Sequence, residues 1–106
     1  MARVALLCPD LLFGSKVEGS LRAAGHDVRS VPEPAAAADA ELLVIDLTSD
    51  AEPRLEGLPA GVPTLAFYSH VEQDVREAAE AAGVTKVVPR SRMAREGAQL
   101  VDSMLA

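Results

Sequence analysis

The sequence predicts an α/β domain built on a five-stranded, parallel, doubly wound sheet. Short apolar runs alternate with segments whose apolar residues recur at helical spacing, the pattern of strand–helix units. Residues 42–45 are continuously apolar, which favours a strand covered on both faces. Gly25 and Gly83 follow two of the helical segments, where glycine commonly ends a helix. The length of 106 residues suits one hydrophobic core rather than two.

The amino-terminal half is expected to contain two strands before the central one. The first, residues 4–8, stops at Pro9, which has no N–H to donate to a ladder. A helix follows and ends near Gly25. The alternating segment 28–31 predicts a half-covered edge strand. Residues 32–38 predict a shortened second helix with proline in its first turn.

After the central strand, prolines and glycines limit the third helix. They recur through residues 48–63, so we expect at most a turn or two around residues 52–55. Residues 64–69 and 86–88 are the fourth and fifth strands. The fourth helix is predicted from apolar residues that share one face: Val71, Val75, Ala78, Ala79 and Ala82. The fifth is predicted from Met93, Gly97, Leu100, Val101 and Met104.

Polar chemistry is expected at one edge of this sheet. The order of elements fits a flavodoxin-like strand order of 2-1-3-4-5, with the first and third strands side by side. Asp46 ends the central strand, and ligands of parallel sheets collect at the carboxyl ends of strands. We therefore expect Asp46 at the rim of a crevice, beside the turn from Cys8 to Asp10.

Composition excludes several classes of function. The net charge is −6 and no basic run occurs, which argues against nucleic-acid binding. No apolar run approaches the ~20 residues that span a bilayer, and no signal peptide is visible. The single Cys8 rules out an internal disulfide and fits a reducing compartment. The expectation is a soluble, cytoplasmic domain.

Three segments resemble the receiver domains of response regulators. Residues 40–47, Ala-Glu-Leu-Leu-Val-Ile-Asp-Leu, resemble the receiver segment whose strand-end aspartate accepts a phosphoryl group, and Asp46 occupies that place. Residues 21–28 resemble the first helix leading into the second strand, and residues 78–84 resemble the fourth helix and its exit. The resemblance implies one receiver-like domain over residues 1–106, with Asp46 as the phosphoacceptor.

The sequence departs from the receiver pattern where Mg²⁺ would bind. Receivers carry an acidic pair after the first strand that helps to hold the metal. Here those places read Cys8 and Pro9, with Asp10 displaced by one residue. Asp46 and Asp10 remain as weak candidate metal ligands, since Mg²⁺ often uses only one or two protein carboxylates.

Two further receiver positions also differ. The Thr or Ser expected at the end of the fourth strand aligns with Tyr68, and Ser69 lies next to it. The receiver Lys that precedes a proline is missing, because Pro89 comes first and Arg90 follows. Arg90 is a candidate anion clamp, although its planar guanidinium does not replace the point charge of a lysine.

The preferred hypothesis is a stand-alone receiver-like signalling domain that acts by protein–protein contact. It has a degenerate phosphorylation site, no enzymatic activity of its own and no cofactor. A protein partner is expected, with a homodimer through the fourth and fifth helices as one possibility. An alternative is a working phosphoacceptor that uses Asp46 with Mg²⁺, assisted by Asp10, Ser69 and Arg90.

Other interpretations stay open for single residues. Asp46 also suits a carboxylate that caps the turn after its strand, and Asp10 suits the N-cap of the first helix. Cys8 allows a third function, a phosphotransfer enzyme similar to the phosphocysteine-carrying IIB domains of sugar transport. The bulky residues after Cys8 disfavour that function, because IIB domains surround their cysteine with small residues.

Overall fold

A computed structural model describes residues 2–106 and contains the predicted parallel sheet. The strands are β1 (Arg3–Leu7), β2 (Asp27–Ser30), β3 (Leu42–Asp46), β4 (Thr64–Tyr68) and β5 (Lys86–Pro89). The helices are α1 (Leu11–Ala23), α2 (Ala51–Glu56), α3 (Gln73–Ala81) and α4 (Arg90–Leu105), and a 3₁₀ turn covers Pro34–Ala37. All strand pairs are parallel, and their order is β2-β1-β3-β4-β5. The predicted fold class and strand order are confirmed.

The register of the sheet aligns the strand ends that carry the candidate residues. Leu7 pairs with Ile45, so Cys8 follows β1 at the level of Asp46. Asp46 in turn pairs with Phe67 on the other side of β3. The prediction that the first and third strands are adjacent is therefore confirmed, and the segments after β1 and β3 leave the sheet at the same edge.

Two apolar layers enclose the sheet. On one face, α1 and α4 pack against alternate strand residues, among them Val44, Phe67 and Val88. On the other face, the 3₁₀ turn, α2 and α3 cover Ile45, Ala66 and Tyr68. Every residue of β3 is buried, as expected for a strand covered on both sides.

The two predicted short helices are indeed short. The second is a single 3₁₀ turn that begins at Pro34, and the third is the six-residue α2, which buries no residue. Glycines end α1 and α3 as predicted, because Gly25 and Gly83 have φ of 95° and 87°, a backbone conformation that glycine adopts without strain.

The prediction for the start of the fourth helix was wrong at Val71. α3 begins only at Gln73, since a turn in which Glu72 N–H donates to the Ser69 carbonyl comes first. Val71 therefore lies outside the helix and is 74% exposed. Within residues 2–106, no helix is long and apolar enough to cross a membrane.

Candidate functional site

Asp46 lies at the carboxyl end of β3, but its side chain is buried rather than displayed on a rim. It is 3% exposed. Its Oδ1 accepts two hydrogen bonds from Thr48, at 2.7 Å from the backbone N–H and 2.5 Å from the hydroxyl. The carboxylate thus caps the turn after the strand, the role that asparagine and aspartate commonly take in turns. The expectation of an open position at the crevice was wrong for this side chain.

The thiol of Cys8 faces the other oxygen of the same carboxylate. Its Sγ lies 3.8 Å from Asp46 Oδ2 and 3.7 Å from the backbone carbonyl of Asp10. Burial, and after it the negative charge of Asp46, raises the pKa of the Cys8 thiol to about 11. The thiol is therefore neutral at pH 7, which disfavours both a nucleophile and a metal-binding thiolate.

Asp10 is the N-cap of α1, one of the two roles predicted for it. Its Oδ1 accepts the Phe13 N–H at 3.0 Å, and its Oδ2 accepts from the Arg90 guanidinium at 3.1 Å. The Phe13 hydrogen bond, and then Arg90, holds the pKa of this carboxyl below its usual range. Arg90 also lies 4.3 Å above the Phe13 ring, a cation–π contact.

A crevice of about 450 Å³ opens next to Thr48, the residue that bonds to the buried Asp46 carboxylate. Its lining includes Ser69 and Arg90, as well as Thr48. Tyr68, which a gapless alignment matches to the receiver Thr or Ser, is buried in the apolar layer beneath α2 and α3. Of these two neighbours, only Ser69 lies at the crevice.

The sequence-predicted residues are therefore only partly brought together. Asp10 and Arg90 form an ion pair, whereas Asp46 is bonded to Thr48 and faces Cys8. Among the described residues, no hydrogen bond joins Asp46 to the other three candidates, Asp10, Ser69 and Arg90.

Sequence reasoning missed Arg54, which fixes the backbone of the Asp46 turn. Its Nη1 donates to the Asp46 carbonyl at 2.7 Å and to the Ser49 carbonyl at 2.9 Å. Arg54 belongs to the short α2, which was expected around residues 52–55 but whose placement in space relative to Asp46 did not follow from the sequence. The signal was an arginine soon after a strand-end aspartate, and that signal alone does not specify a contact.

The residues present do not fit a firm Mg²⁺ site. Mg²⁺ favours several oxygen ligands in octahedral geometry. Both Asp10 oxygens already accept hydrogen bonds, one Asp46 oxygen is held by Thr48, and the Cys8 sulfur is a poor ligand for a hard cation. Throughout residues 2–106, no group of three or more His, Cys, Asp or Glu side chains is arranged to hold a metal ion.

Response-regulator receivers are among the solved structures that share this arrangement of strands and helices. A CheY-like response regulator from Mesorhizobium loti has a TM-score of 0.76 and 21% identity, over 96% of this chain and 97% of that one. A CheY-like receiver domain protein from Methanospirillum hungatei has a TM-score of 0.81 and 14% identity, over 99% and 94% of the two chains. This chain has the receiver fold.

The signal receiver domain of the putative response regulator NarL from Mycobacterium tuberculosis also has the receiver fold. It gives a TM-score of 0.72 and 19% identity, over 98% of this chain and 95% of that chain. No family model matches the sequence, and no curated protein gives a significant match. Sequence identities at this level show a shared fold, whereas the chemistry of a site depends on the residues present in it.

Proposed function

We propose that this receiver-fold domain is a signalling module that acts through protein contact and undergoes little or no phosphoryl transfer. The observation that carries the proposal is that both oxygens of the Asp46 carboxylate already have hydrogen-bond partners within the domain. Its Oδ1 is held by both donors of Thr48, and its Oδ2 faces the neutral Cys8 thiol. A phosphoacceptor oxygen must instead be free to attack a dianionic phosphoryl group.

The distribution of charge supports the same proposal. Phosphoryl transfer to a carboxylate needs positive charge where the negative charge gathers. The candidate cation, Arg90, is already paired with Asp10 and stacked on Phe13. Recruiting it to Asp46 would break both contacts and uncover the N-cap carboxylate of α1.

Beryllofluoride, a phosphoryl mimic, tests the proposal directly. The protein is incubated with Mg²⁺ and beryllofluoride and followed by ¹⁵N NMR. A parallel sample receives acetyl phosphate and is analysed by intact-mass spectrometry. We expect unchanged spectra and no added phosphoryl mass, with an active receiver as positive control. A stable adduct that is absent from Asp46→Asn contradicts the proposal and establishes the working phosphoacceptor.

The alternative phosphoacceptor makes a separate prediction about the metal. It requires Mg²⁺ binding that involves Asp46, with Asp10, Ser69 and Arg90 in accessory roles. We expect calorimetric titrations with Mg²⁺ to be flat for the wild type and for Asp46→Asn alike. A wild-type binding isotherm that this substitution abolishes supports the alternative. The Cys8-centred enzyme receives no support from the receiver-fold comparisons.

A homodimer is a further proposed property. The predicted fourth and fifth helices correspond to α3 and α4, which flank the edge strand β5. Sedimentation equilibrium over a wide range of protein concentration measures whether these helices pair two copies. A mass that stays at the 11.1 kDa of one chain contradicts the dimer.

A further inference from the structure

A surface groove of about 370 Å³ separates α2 from α3. Its floor is apolar and consists of Leu55 from α2, of Val75 and Ala78 from α3, and of Ala82, the C-cap residue that follows α3. Leu55 and Val75 are half-buried, and the two alanines are exposed. The groove exists because α2 has six residues and buries none of them, so it leaves the flank of α3 uncovered.

Carboxylates line the groove. Glu52 and Glu56 extend from α2, and Asp74 extends from the first turn of α3. All three are exposed, and within residues 2–106 none of them forms an ion pair. The two nearby arginines are engaged elsewhere, since Arg54 bonds to the turn after β3 and Arg76 pairs with Glu80.

Negative charge is concentrated in the segment of the chain that forms this groove rather than spread along the sequence. Residues 50–80 contain seven acidic and two basic residues, a net charge of −5 out of −6 for the chain. The remaining residues are nearly neutral. A field of one sign around an apolar cleft attracts partners of the opposite charge and speeds their association.

We propose that this groove docks a basic amphipathic helix of a partner protein. The proposal rests on the proposed function, because a module that signals by contact needs a contact surface. An amphipathic helix places apolar anchors at i, i+4 and i+7 in such a groove. Exposed Ala78 and Ala82 let its backbone approach α3 closely, and its lysines or arginines meet Glu52, Glu56 and Asp74. A second copy presenting the same face would bring like charges together.

A designed peptide serves as the probe. It is a helix of about 18 residues with leucines at i, i+4 and i+7 and lysines on its flanks, and a matched peptide carries glutamates in place of the lysines. We expect the basic peptide to shift ¹⁵N resonances of α2 and α3 and to bind more weakly as salt rises from about 50 mM to about 500 mM. We expect no binding of the acidic peptide.

Three variants locate the interaction. Asp74→Lys reverses a charge at the groove, and we expect about fivefold weaker binding. Asp27→Lys makes the same change of charge at an exposed position of the edge strand β2, and should leave the affinity within about twofold. Ala78→Gln fills the floor without changing the charge and should weaken binding about fivefold. All three positions are exposed, which preserves the fold.

Several results overturn the docking proposal. They are a failure of the basic peptide to bind, shifts centred on α1 or α4, and equal effects of Asp74→Lys and Asp27→Lys. Self-association that Asp74→Lys abolishes also overturns it, because the occupant is then a second copy. The beryllofluoride experiment is independent: an adduct on Asp46 with intact peptide binding refutes only the absence of phosphorylation, and absent binding without an adduct refutes only the docking.

Discussion

The two oxygens of the Asp46 carboxylate have different neighbours, so each contact can be removed separately. Thr48→Val deletes the hydroxyl that donates to Oδ1 at 2.5 Å and keeps the shape of the side chain. We expect a loss of about 1–2 kcal/mol in the free energy of unfolding, because a hydrogen bond to a buried carboxylate is lost. Urea denaturation at pH 7 measures the change.

A double-mutant cycle provides the control for Thr48→Val. In an Asp46→Ala background the acceptor is already gone, so the same substitution should cost almost nothing. The coupling between the two positions then equals most of the single-mutant effect, as expected for residues in direct contact. Additive effects would show that Thr48 stabilises the domain through something other than Asp46.

The raised pKa of the Cys8 thiol predicts that the domain loses stability at alkaline pH. Its pKa is about 11 in the folded chain, against 9.0 for an ordinary cysteine. Between these two values the unfolded chain has released the proton and the folded chain still holds it, so stability falls as pH rises. The contribution is complete below pH 9 and is lost by about pH 11.

Comparison with Cys8→Ala isolates this effect from the titration of other groups. We expect the wild type to lose more stability than the variant between pH 9 and pH 11, as measured by urea denaturation at each pH. Parallel stability curves for the two proteins would contradict the raised pKa. Alkylation by iodoacetamide should also be slow in the folded state, since the thiolate is the reacting form.

Residue by residue, local roles were predictable and distant partners were not. Asp10 was expected as an N-cap because aspartate before a helix accepts the N–H of the third residue, and Phe13 N–H is that donor. Its ion pair with Arg90 joins residues 80 positions apart and depends on where α4 begins. The contact of Arg54 with Asp46 likewise depends on the placement of the short α2.

Among the helices, the clearest test concerns the glycine that follows α3. Gly83 has φ of 87°, and a Cβ added there would meet no atom within 4 Å. Gly83→Ala therefore costs only the backbone strain of the left-handed conformation, about 1–2 kcal/mol in urea denaturation. A cost near zero would show that the helix end readjusts.

Gly57 after α2 is the matched control for that test. Its φ is −95°, which any residue adopts, and an added Cβ would lie in ordinary contact with Pro34 at 3.6 Å. Gly57→Ala should be neutral or stabilising by up to about 1 kcal/mol, because it restricts the unfolded chain. A loss as large as that of Gly83→Ala would contradict the assignment of cost to φ.

The same reasoning explains which element boundaries were predictable. Proline and glycine restrict the backbone directly, so the short α2 and the ends of α1 and α3 followed from composition. Val71 has the right spacing for α3 but lies in the turn before it, since spacing alone does not specify which residue starts the helix. Boundaries without such residues depend on tertiary packing.

At the level of the domain, the sheet order followed from alternating strands and helices because parallel crossovers have one hand. The chemistry at the sheet edge did not follow. Burial of Asp46 and the neutral state of Cys8 depend on how closely two loops approach, which the chain pattern does not determine. Similarity to solved receivers at low identity therefore shows the fold and does not specify the chemistry of the site.

The two layers that cover the sheet should differ in local stability. α4 has 16 residues and buries four of them, whereas α2 has six and buries none. Regions with few buried contacts open at low free energy without global unfolding. We expect the amides of α2 to exchange with solvent at least about a hundredfold faster than those in the middle of α4, as measured by native-state hydrogen exchange.

This asymmetry connects the fold to the proposed docking groove. Because α2 forms one wall of the groove, the basic peptide should slow exchange in α2 and leave α4 unchanged. Asp74→Lys should remove that protection, and Asp27→Lys should retain it. If the amides of α2 instead exchange as slowly as those of α4 in the free protein, the wall of the groove that α2 forms is already rigid. Docking would then select a preformed groove rather than stabilise a helix that opens readily.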